Sequence, residues 1–299
     1  MSGAKTWFLE TRPQFLLLTI VTALVGLGCL VVDRVSINWA DYLVSLVGAL
    51  LAHVAVNVLN DYFDYVSGID LKTTRTPFSG GSGILPAGLL KPRHVYFFGL
   101  GCLALDFVIA AYFYFKVGVG ILVLAFLGAA LIYGYTPWLT KIGLAEASAG
   151  AGFGLMALGF YYVQTGSISP SVACSSLLVA IVVSNLLLLN EIPDTEADRE
   201  AGRRHIPAVL GKKAAAVVYS FLWIAGYTLI VVFMWLGYLP PTSLVLYVSF
   251  PLAVQCIKGV TKFHSDTEKL VGYMAKNIIL VHLFLFLLFL GEAASVYLI

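Results

Sequence analysis

Long apolar runs broken by short polar patches dominate the chain, and their lengths point to a fold before any single residue is considered. As helices, stretches of about 17 to 25 mainly apolar residues match the hydrocarbon thickness of a bilayer. Nine such stretches run over 14–32, 42–66, 95–115, 117–136, 144–164, 171–193, 214–236, 241–257 and 273–297. Turn formers mark several breaks between them: Lys116-Val-Gly118, Thr136-Pro137, Gly166 to Pro170 and Pro240-Pro241. The break at Lys116 is the faintest, with one Lys and one Gly to mark it. The pattern predicts an all-α fold, a multi-span transmembrane helical bundle of about nine helices, with residues 1–299 as a single integral membrane domain.

Composition agrees with the pattern. Of the 299 residues 60% are hydrophobic and 11% charged, where a soluble domain carries about 25% charged residues. Mean hydropathy is +0.92. A net charge of +2 without a dense Lys/Arg segment excludes a basic nucleic-acid binder and a disordered chain. The lipid bilayer is the partner that the composition requires. Cys29, Cys102, Cys174 and Cys256 fall inside apolar runs, without a CxxC pair or a His at ligand spacing. They are read as small apolar fillers rather than a disulfide frame or zinc site. The polar N-terminal segment up to Pro13 has no cleavage site of the small-residue kind, so no removable signal peptide is expected.

Charge also orients the spans. Nine spans place every connection on one of two sides, and of the 18 Lys plus Arg only Arg34 and Lys116 fall opposite the N-terminus. That asymmetry predicts a cytoplasmic N-terminus and an external C-terminus, in the cell (inner) membrane.

Two stretches at the cytoplasmic ends of the second and sixth spans then stand out. In the first, Asn57, Asn60, Asp61 and Asp64 are spaced for one helical face, and Gly68 permits a break that returns Asp70 toward them. In the second, Asn190, Asp194 and Asp198 are spaced by four, with Pro193 expected to kink the helix or loosen its last membrane turn. Asp61, Asp64, Asp70, Glu191, Asp194, Glu196, Asp198 and Glu200 make up half of the 16 Asp plus Glu. Carboxylates crowded in this way repel unless a cation sits between them. Mg²⁺ suits such oxygen donors and is held together with substrate phosphates, so the pattern points to the handling of a diphosphate. Lys72, Arg75, Arg203 and Arg204 stand beside the two clusters as candidate phosphate clamps.

These residues resemble the signatures of the UbiA superfamily of intramembrane prenyltransferases: Asn60-Asp61-x-x-Asp64 is similar to its first motif and Asp194-x-x-x-Asp198 to its second. The extended patterns, Asn57 through Asp70 and Asn190 through Gly202, are similar to the branch that prenylates 1,4-dihydroxy-2-naphthoate on the way to menaquinone. The resemblance runs from Arg12-Pro13 to Lys276. Two departures are visible. Gly68 stands where the commoner first motif has an acid, and Glu-Ile-Pro precedes Asp194 where relatives often carry a basic residue.

The resemblance implies nine helices around a central cavity, the acids at its cytoplasmic rim, and a lateral opening for a polyprenyl tail. It implies transfer of a polyprenyl group from a polyprenyl diphosphate to a small aromatic acceptor. Asp61, Asp64, Asp70, Asp194 and Asp198 would bind Mg²⁺; Asp61, Asp64, Asp194, Asp198 and Lys141 would be catalytic. Asn57, Asn60, Asn190, Arg75, Tyr135 and Arg203 would contact substrate. Other acceptors, namely 4-hydroxybenzoate, homogentisate, a chlorophyll precursor or a glycerol phosphate, stay open at this point, as does the oligomeric state.

An allylic cation needs an apolar, aromatic enclosure, for which Tyr62, Tyr133, Tyr135, Tyr161 and Tyr162 are the candidates. The glycine-rich segment Phe78 to Gly88 lacks the Gly-Lys-Ser/Thr of a P-loop and is read as a lid over the rim. Asp106 is the one acid placed near mid-membrane. His53 is assigned to helix packing, and His94, His205, His264 and His282 show no ligand spacing. An ion-coupled transporter is the rival class, but it would put its polar residues near the midplane rather than at one rim.

Overall fold

The computed structural model describes residues 3–71, 76 and 78–298. Among them helix is the only regular structure. The chain runs through α1 (Gly3–Glu10), α2 (Leu17–Val32), α3 (Trp39–Ser67), α4 (Pro92–Val117), α5 (Gly120–Gly134), α6 (Ala145–Thr165), α7 (Pro170–Glu191), the short α8 (Thr195–Glu200) and α9 (Ile206–Leu210), α10 (Lys212–Trp235), α11 (Phe250–Phe263) and α12 (Thr267–Ala293). Eight helical segments are long and apolar enough to cross a membrane, and the chain is an integral multi-pass membrane protein. They coincide with eight of the nine apolar runs. The ninth run is α6, whose 21 residues also suffice to cross but are diluted by Gly150, Gly152, Gly154 and Gly159.

Local chemistry sets the boundaries. Asn38 caps α3 by accepting from the Asp41 N–H at 3.2 Å, and Ser169 and Asp266 cap α7 and α12 in the same way. Pro92 and Pro170 open α4 and α7, where a missing N–H costs nothing. The faint break at Lys116 is real: α4 stops at Val117 and α5 begins at Gly120. The run 117–136 extends further than its apolar residues, because α5 continues through a π-helical segment, Tyr135–Leu139, and one more turn to Ile142. Likewise the run 241–257 is a composite, 3₁₀ over Pro241–Ser249 and then α11. The polar N-terminus, for which periodicity gave no helix, forms α1, held by Trp7 packed on Phe98 with ring centroids 5.1 Å apart.

The helices are packed unequally. α2, α7, α10, α11 and α12 share a dense core that includes Val25, Val179, Trp223, Cys256, Phe284 and Leu288. Within it Tyr219 and Trp223 both donate to Asn277 Oδ1, at 2.7 and 3.3 Å, while Asn277 Nδ2 is buried without a partner. α6 lies against α7 through a close approach that only glycine allows. A Cβ at Gly150 would sit 2.2 Å from the Ala180 carbonyl. On the other side α3, α4, α5 and α6 pack through smaller clusters, such as Ala55, Leu59, Cys102 and Leu103 or Phe113, Ile121 and Val163, and enclose a cavity.

Candidate active site

The first acidic stretch occupies the last three turns of α3. Asn57, Asn60 and Asp64 line a polar cavity of about 220 Å³. Asn60 is held by donating to Asp64 Oδ2 and Thr136 Oγ1, both at 3.0 Å. Asp61, one residue on, is fully buried and turns away from the cavity. It accepts the Ser82 N–H on both oxygens, at 3.2 and 3.0 Å, and has Arg12 at 3.7 Å. Gly68, at φ +80°, ends the helix and lets Asp70 return to the cavity wall on the turn Ile69–Leu71. Asp70 Oδ2 is buried without a hydrogen-bond partner.

The second stretch is built otherwise. α7 ends at Glu191, the chain turns through Ile192, Pro193 and Asp194, and α8 restarts at Thr195. The kink or loosened last turn expected at Pro193 is a full break in the helix. Asn190, Glu191, Asp194 and Asp198 nevertheless face the same cavity as Asp64 and Asp70. After α8 the Arg203 N–H donates back to the Asp198 carbonyl at 2.9 Å. That fold-back puts the Arg203 guanidinium between the two stretches, on Asp64 and, at 3.2 Å, on Asp198. A cation does separate the two clusters, and it belongs to the chain itself.

The electrostatics record the crowding. Burial, followed by repulsion from Asp64 and Asp61, pushes the Asp70 carboxyl up to about 7. Burial and Asp198 raise Asp194 to about 7. Burial raises Asp198 to about 6 against the pull of Arg203. Glu10 of α1, which accepts from the Ser82 hydroxyl at 3.0 Å, rises to about 7 through burial and the nearby Asp61. Burial opposes the charge on Arg203, but Asp64 and Asp198 outweigh it and raise the guanidinium pKa. Buried hard oxygens that resist ionising together, two of them unpartnered at Asp70 and Asn190, fit a divalent cation with oxygen ligands.

The other sequence candidates divide. Tyr135, in the π-helical segment, lines the polar cavity and also a second, apolar one of about 340 Å³. Lys141 is exposed and lines neither. Arg75 and Lys72 lie outside the described residues. Tyr62 and Tyr133 stack in a cluster with Phe63 and Tyr96, and Tyr161 donates to Asp33 at 2.7 Å. The aromatic walls of the apolar cavity are instead Phe113, Phe153 and Phe160. Asp106 lines that cavity opposite Gly48. His53 lines both cavities while bonded to Thr19 at 2.8 Å. Phe78, Ser79, Gly80 and Gly81 of the glycine-rich segment form part of the polar cavity's wall.

Two features of the site carried no readable spacing. Arg12 lines both cavities and donates to Asn60 at 3.5 Å; its place just ahead of Pro13 and the first apolar run was its only signal. Glu146, Glu191 and His205 converge so that one ligand atom from each lies within 4.8 Å of the others. The reading of His205 as lacking ligand neighbours is corrected accordingly. Its partners come from the start of α6 and the end of α7, far away in sequence. Burial and Arg203 hold the His205 imidazole neutral, with a pKa down to about 3.

Comparison with known proteins places the chain in a family and matches its fold. A sequence model of the UbiA prenyltransferase family matches residues 19–279. The 1,4-dihydroxy-2-naphthoate octaprenyltransferase of Bacillus subtilis (strain 168) is 26% identical over 274 residues, covering 90% of this chain and 86% of the relative. The apo structure of a UbiA homologue from Aeropyrum pernix K1 superposes with a TM-score of 0.68 at 17% identity, covering 93% of this chain and 98% of that one. A UbiA homologue from Archaeoglobus fulgidus bound to DMAPP and Mg²⁺ gives 0.60 at 13% identity, with 98% and 100% covered.

Proposed function

Since the chain belongs to the UbiA prenyltransferase family, we propose that it transfers a polyprenyl group from an isoprenyl diphosphate to 1,4-dihydroxy-2-naphthoate, with Mg²⁺ as its metal, in menaquinone biosynthesis. One observation carries the reading. The acid-lined polar cavity and the apolar cavity share Arg12, His53, Asn57, Asn60, Tyr135 and Phe153, so they adjoin along a common wall, with acids on one side of it and an apolar space on the other. An amphiphile with a charged head and a hydrocarbon tail matches that profile. The name of the Bacillus subtilis relative supports the acceptor, and the ligands of the Archaeoglobus fulgidus homologue support the metal and donor. The side of the membrane rests on the Lys/Arg asymmetry, which favours a cytoplasmic rim in the cell (inner) membrane.

In this mechanism Asp64, Asp70, Asp194 and Asp198 would hold the metal, with Asp61 behind them on Ser82 and Arg12. Bound there, Mg²⁺ would neutralise the diphosphate and stabilise the departing pyrophosphate. Arg203, already poised between the stretches, exchanges carboxylate for phosphate oxygens, and Arg12 faces the head group from the other wall. Asn60 and Asn190 orient the carboxylates. Ionisation of the donor leaves an allylic cation, which Phe153 and the apolar wall shield from water. The electron-rich ring of the acceptor forms the new carbon–carbon bond and regains aromaticity by losing a proton, or carbon dioxide where the bond forms at the carboxyl-bearing carbon, and the product mass distinguishes the two.

The test is to incubate the purified protein with Mg²⁺, a labelled polyprenyl diphosphate and a panel of acceptors, and to identify the product by mass. Prenylated dihydroxynaphthoate is expected, and Asp64→Ala and Asp198→Ala should lose turnover while remaining folded in detergent. Product from a different acceptor alone would overturn the acceptor, and full activity of either variant would overturn the site.

A further inference from the structure

Beside the rim acids lies a second cluster that the prenyl-transfer reading does not use. Glu146 stands in the first turn of α6, Glu191 closes α7, and His205 immediately precedes α9. All three are buried, at 4%, 6% and 2% exposure. His205 Nδ1 and Glu191 Oε1 face each other in contact, His205 Nε2 has the rim carboxylate of Asp198 no nearer than 4.0 Å, and neither that nitrogen nor Glu191 Oε2 has a hydrogen-bond partner. Polar atoms left in this state at one buried point call for an explanation, and a bound ion is one of the few available.

The charge balance points the same way. The nearest cationic side chain, Arg203, is engaged by Asp64 and Asp198, leaving two buried carboxylates beside an imidazole. The donor set is one nitrogen and two carboxylates, with candidate ligand atoms within 4.8 Å of one another. That set suits a borderline divalent cation of the Zn²⁺ kind, whereas Mg²⁺ favours oxygen ligands and keeps several waters. The outer support of such a site is also present, since Glu146 Oε1 accepts the Ile206 N–H at 2.6 Å. Glu191 and His205 also line the polar cavity, so a fourth position can be filled by water.

We propose that Glu146, Glu191 and His205 form a second metal site, distinct from the rim carboxylates, that takes a Zn²⁺-type cation and clips together the start of α6, the end of α7 and the start of α9. The clip lies where α7 breaks, directly before Asp194, so the metal would fix the turn that presents the second acidic stretch.

Cobalt is a direct probe, because Co²⁺ in a four-coordinate site absorbs visible light. Chelator-stripped full-length protein in detergent is titrated with Co²⁺ under excess Mg²⁺. One equivalent should give a four-coordinate Co²⁺ spectrum, abolished by added Zn²⁺ and unchanged in Asp64→Asn. Glu191→Gln and His205→Phe should weaken Co²⁺ binding at least about tenfold, and His205→Cys should keep the metal and add a thiolate-to-cobalt charge-transfer band. No such spectrum in the unmodified chain would overturn the proposal, as would its persistence in both Glu191→Gln and His205→Phe. If those two variants fail to fold, His205→Cys decides, and absence of its charge-transfer band overturns the site. The readout is optical, so it stands or falls separately from the acceptor and from turnover.

Discussion

Asn57 to Asp70 rides on one uninterrupted helix until Gly68 ends it, whereas Asn190 to Arg203 crosses the end of α7, a turn through Pro193 and the six residues of α8. Both present carboxylates to the same cavity, but they are held there by different forces. In the first stretch the helix itself fixes the spacing, and side-chain contacts such as Asn60 to Asp64 refine it. In the second, the backbone offers only short pieces, and position depends on what the side chains grip. Arg203 grips both stretches at once. The helical arm therefore acts as the rigid wall of the site and the broken arm as the part that can adjust.

Removing the grip should have the largest effect. Arg203→Ala leaves Asp64 and Asp198 buried and facing each other, and truncating one partner of a buried pair costs about 3–5 kcal/mol. A loss of about 100-fold or more in kcat/KM for the diphosphate is expected, with little rescue by Arg203→Lys, since an ammonium cannot span two carboxylates as a guanidinium does. Thermal unfolding of the metal-free variant should occur at lower temperature, and Mg²⁺ should raise its Tm by more than it raises that of the unmodified chain, because the cation replaces the missing charge. An equal Mg²⁺ shift in both proteins would mean that the two arms are not joined through Arg203.

The difference between the arms also explains what the sequence could disclose. Periodicity located the long helices because a 20-residue apolar run has few alternatives in a bilayer, and the 3.6-residue repeat put Asn57, Asn60, Asp61 and Asp64 on one face, which holds for all but Asp61. It could not tell that Asp61, 100° further round, would face Ser82 and Arg12, since that depends on where a glycine-rich segment settles. The four-residue spacing of Asn190, Asp194 and Asp198 suggested a stripe, and their convergence survives although the helix does not, because fold-back through Arg203 does what helical geometry would have done. Contacts between distant segments were beyond reach: Glu146 with His205, and Arg12 with Asn60, leave no spacing to read. Lys141 shows the converse error of position, since a base near the right loop is not thereby in the cavity.

A titration distinguishes arms that share their burial from arms that do not. Asp70 in the first stretch and Asp194 in the second both have folded-state values of about 7 against an ordinary 3.8, with Asp198 at about 6. A raised carboxyl binds its proton more tightly in the folded state. Its stabilisation is complete below about pH 4 and is lost as pH rises toward 7. In chelator, Tm should therefore fall across that window and level off above it. The upward shift in Tm caused by Mg²⁺ should be larger at pH 8 than at pH 5, where protons occupy the ligands. Asp70→Asn and Asp194→Asn should each flatten the chelator curve. A curve flattened by one substitution alone would show that a single arm carries the repulsion.

The smallest effects come from the residues that end the two helices, and their order is the sharpest comparison of the arms. Gly68 holds φ +80°, a conformation in which a Cβ costs about 1 kcal/mol. Gly68→Ala should lower stability by that amount and raise the Mg²⁺ concentration needed for half-maximal activity, because Asp70 reaches the cavity only through this turn. Pro193 looks like the corresponding breaker of α7 but contributes less. The ladder is tightened on both sides of the ring, with the Ile192 N–H donating to Leu189 at 3.3 Å and the Asp194 N–H to Glu191 at 3.2 Å, both three residues back. Ile192 is also wholly buried, which pins the turn from within. Pro193→Ala should accordingly shift stability by less than about 1 kcal/mol and leave the Mg²⁺ requirement unchanged. If it instead proves costlier than Gly68→Ala by unfolding and by Mg²⁺ titration, the second arm is set by its backbone after all, and side-chain grip is not what places Asp194 and Asp198.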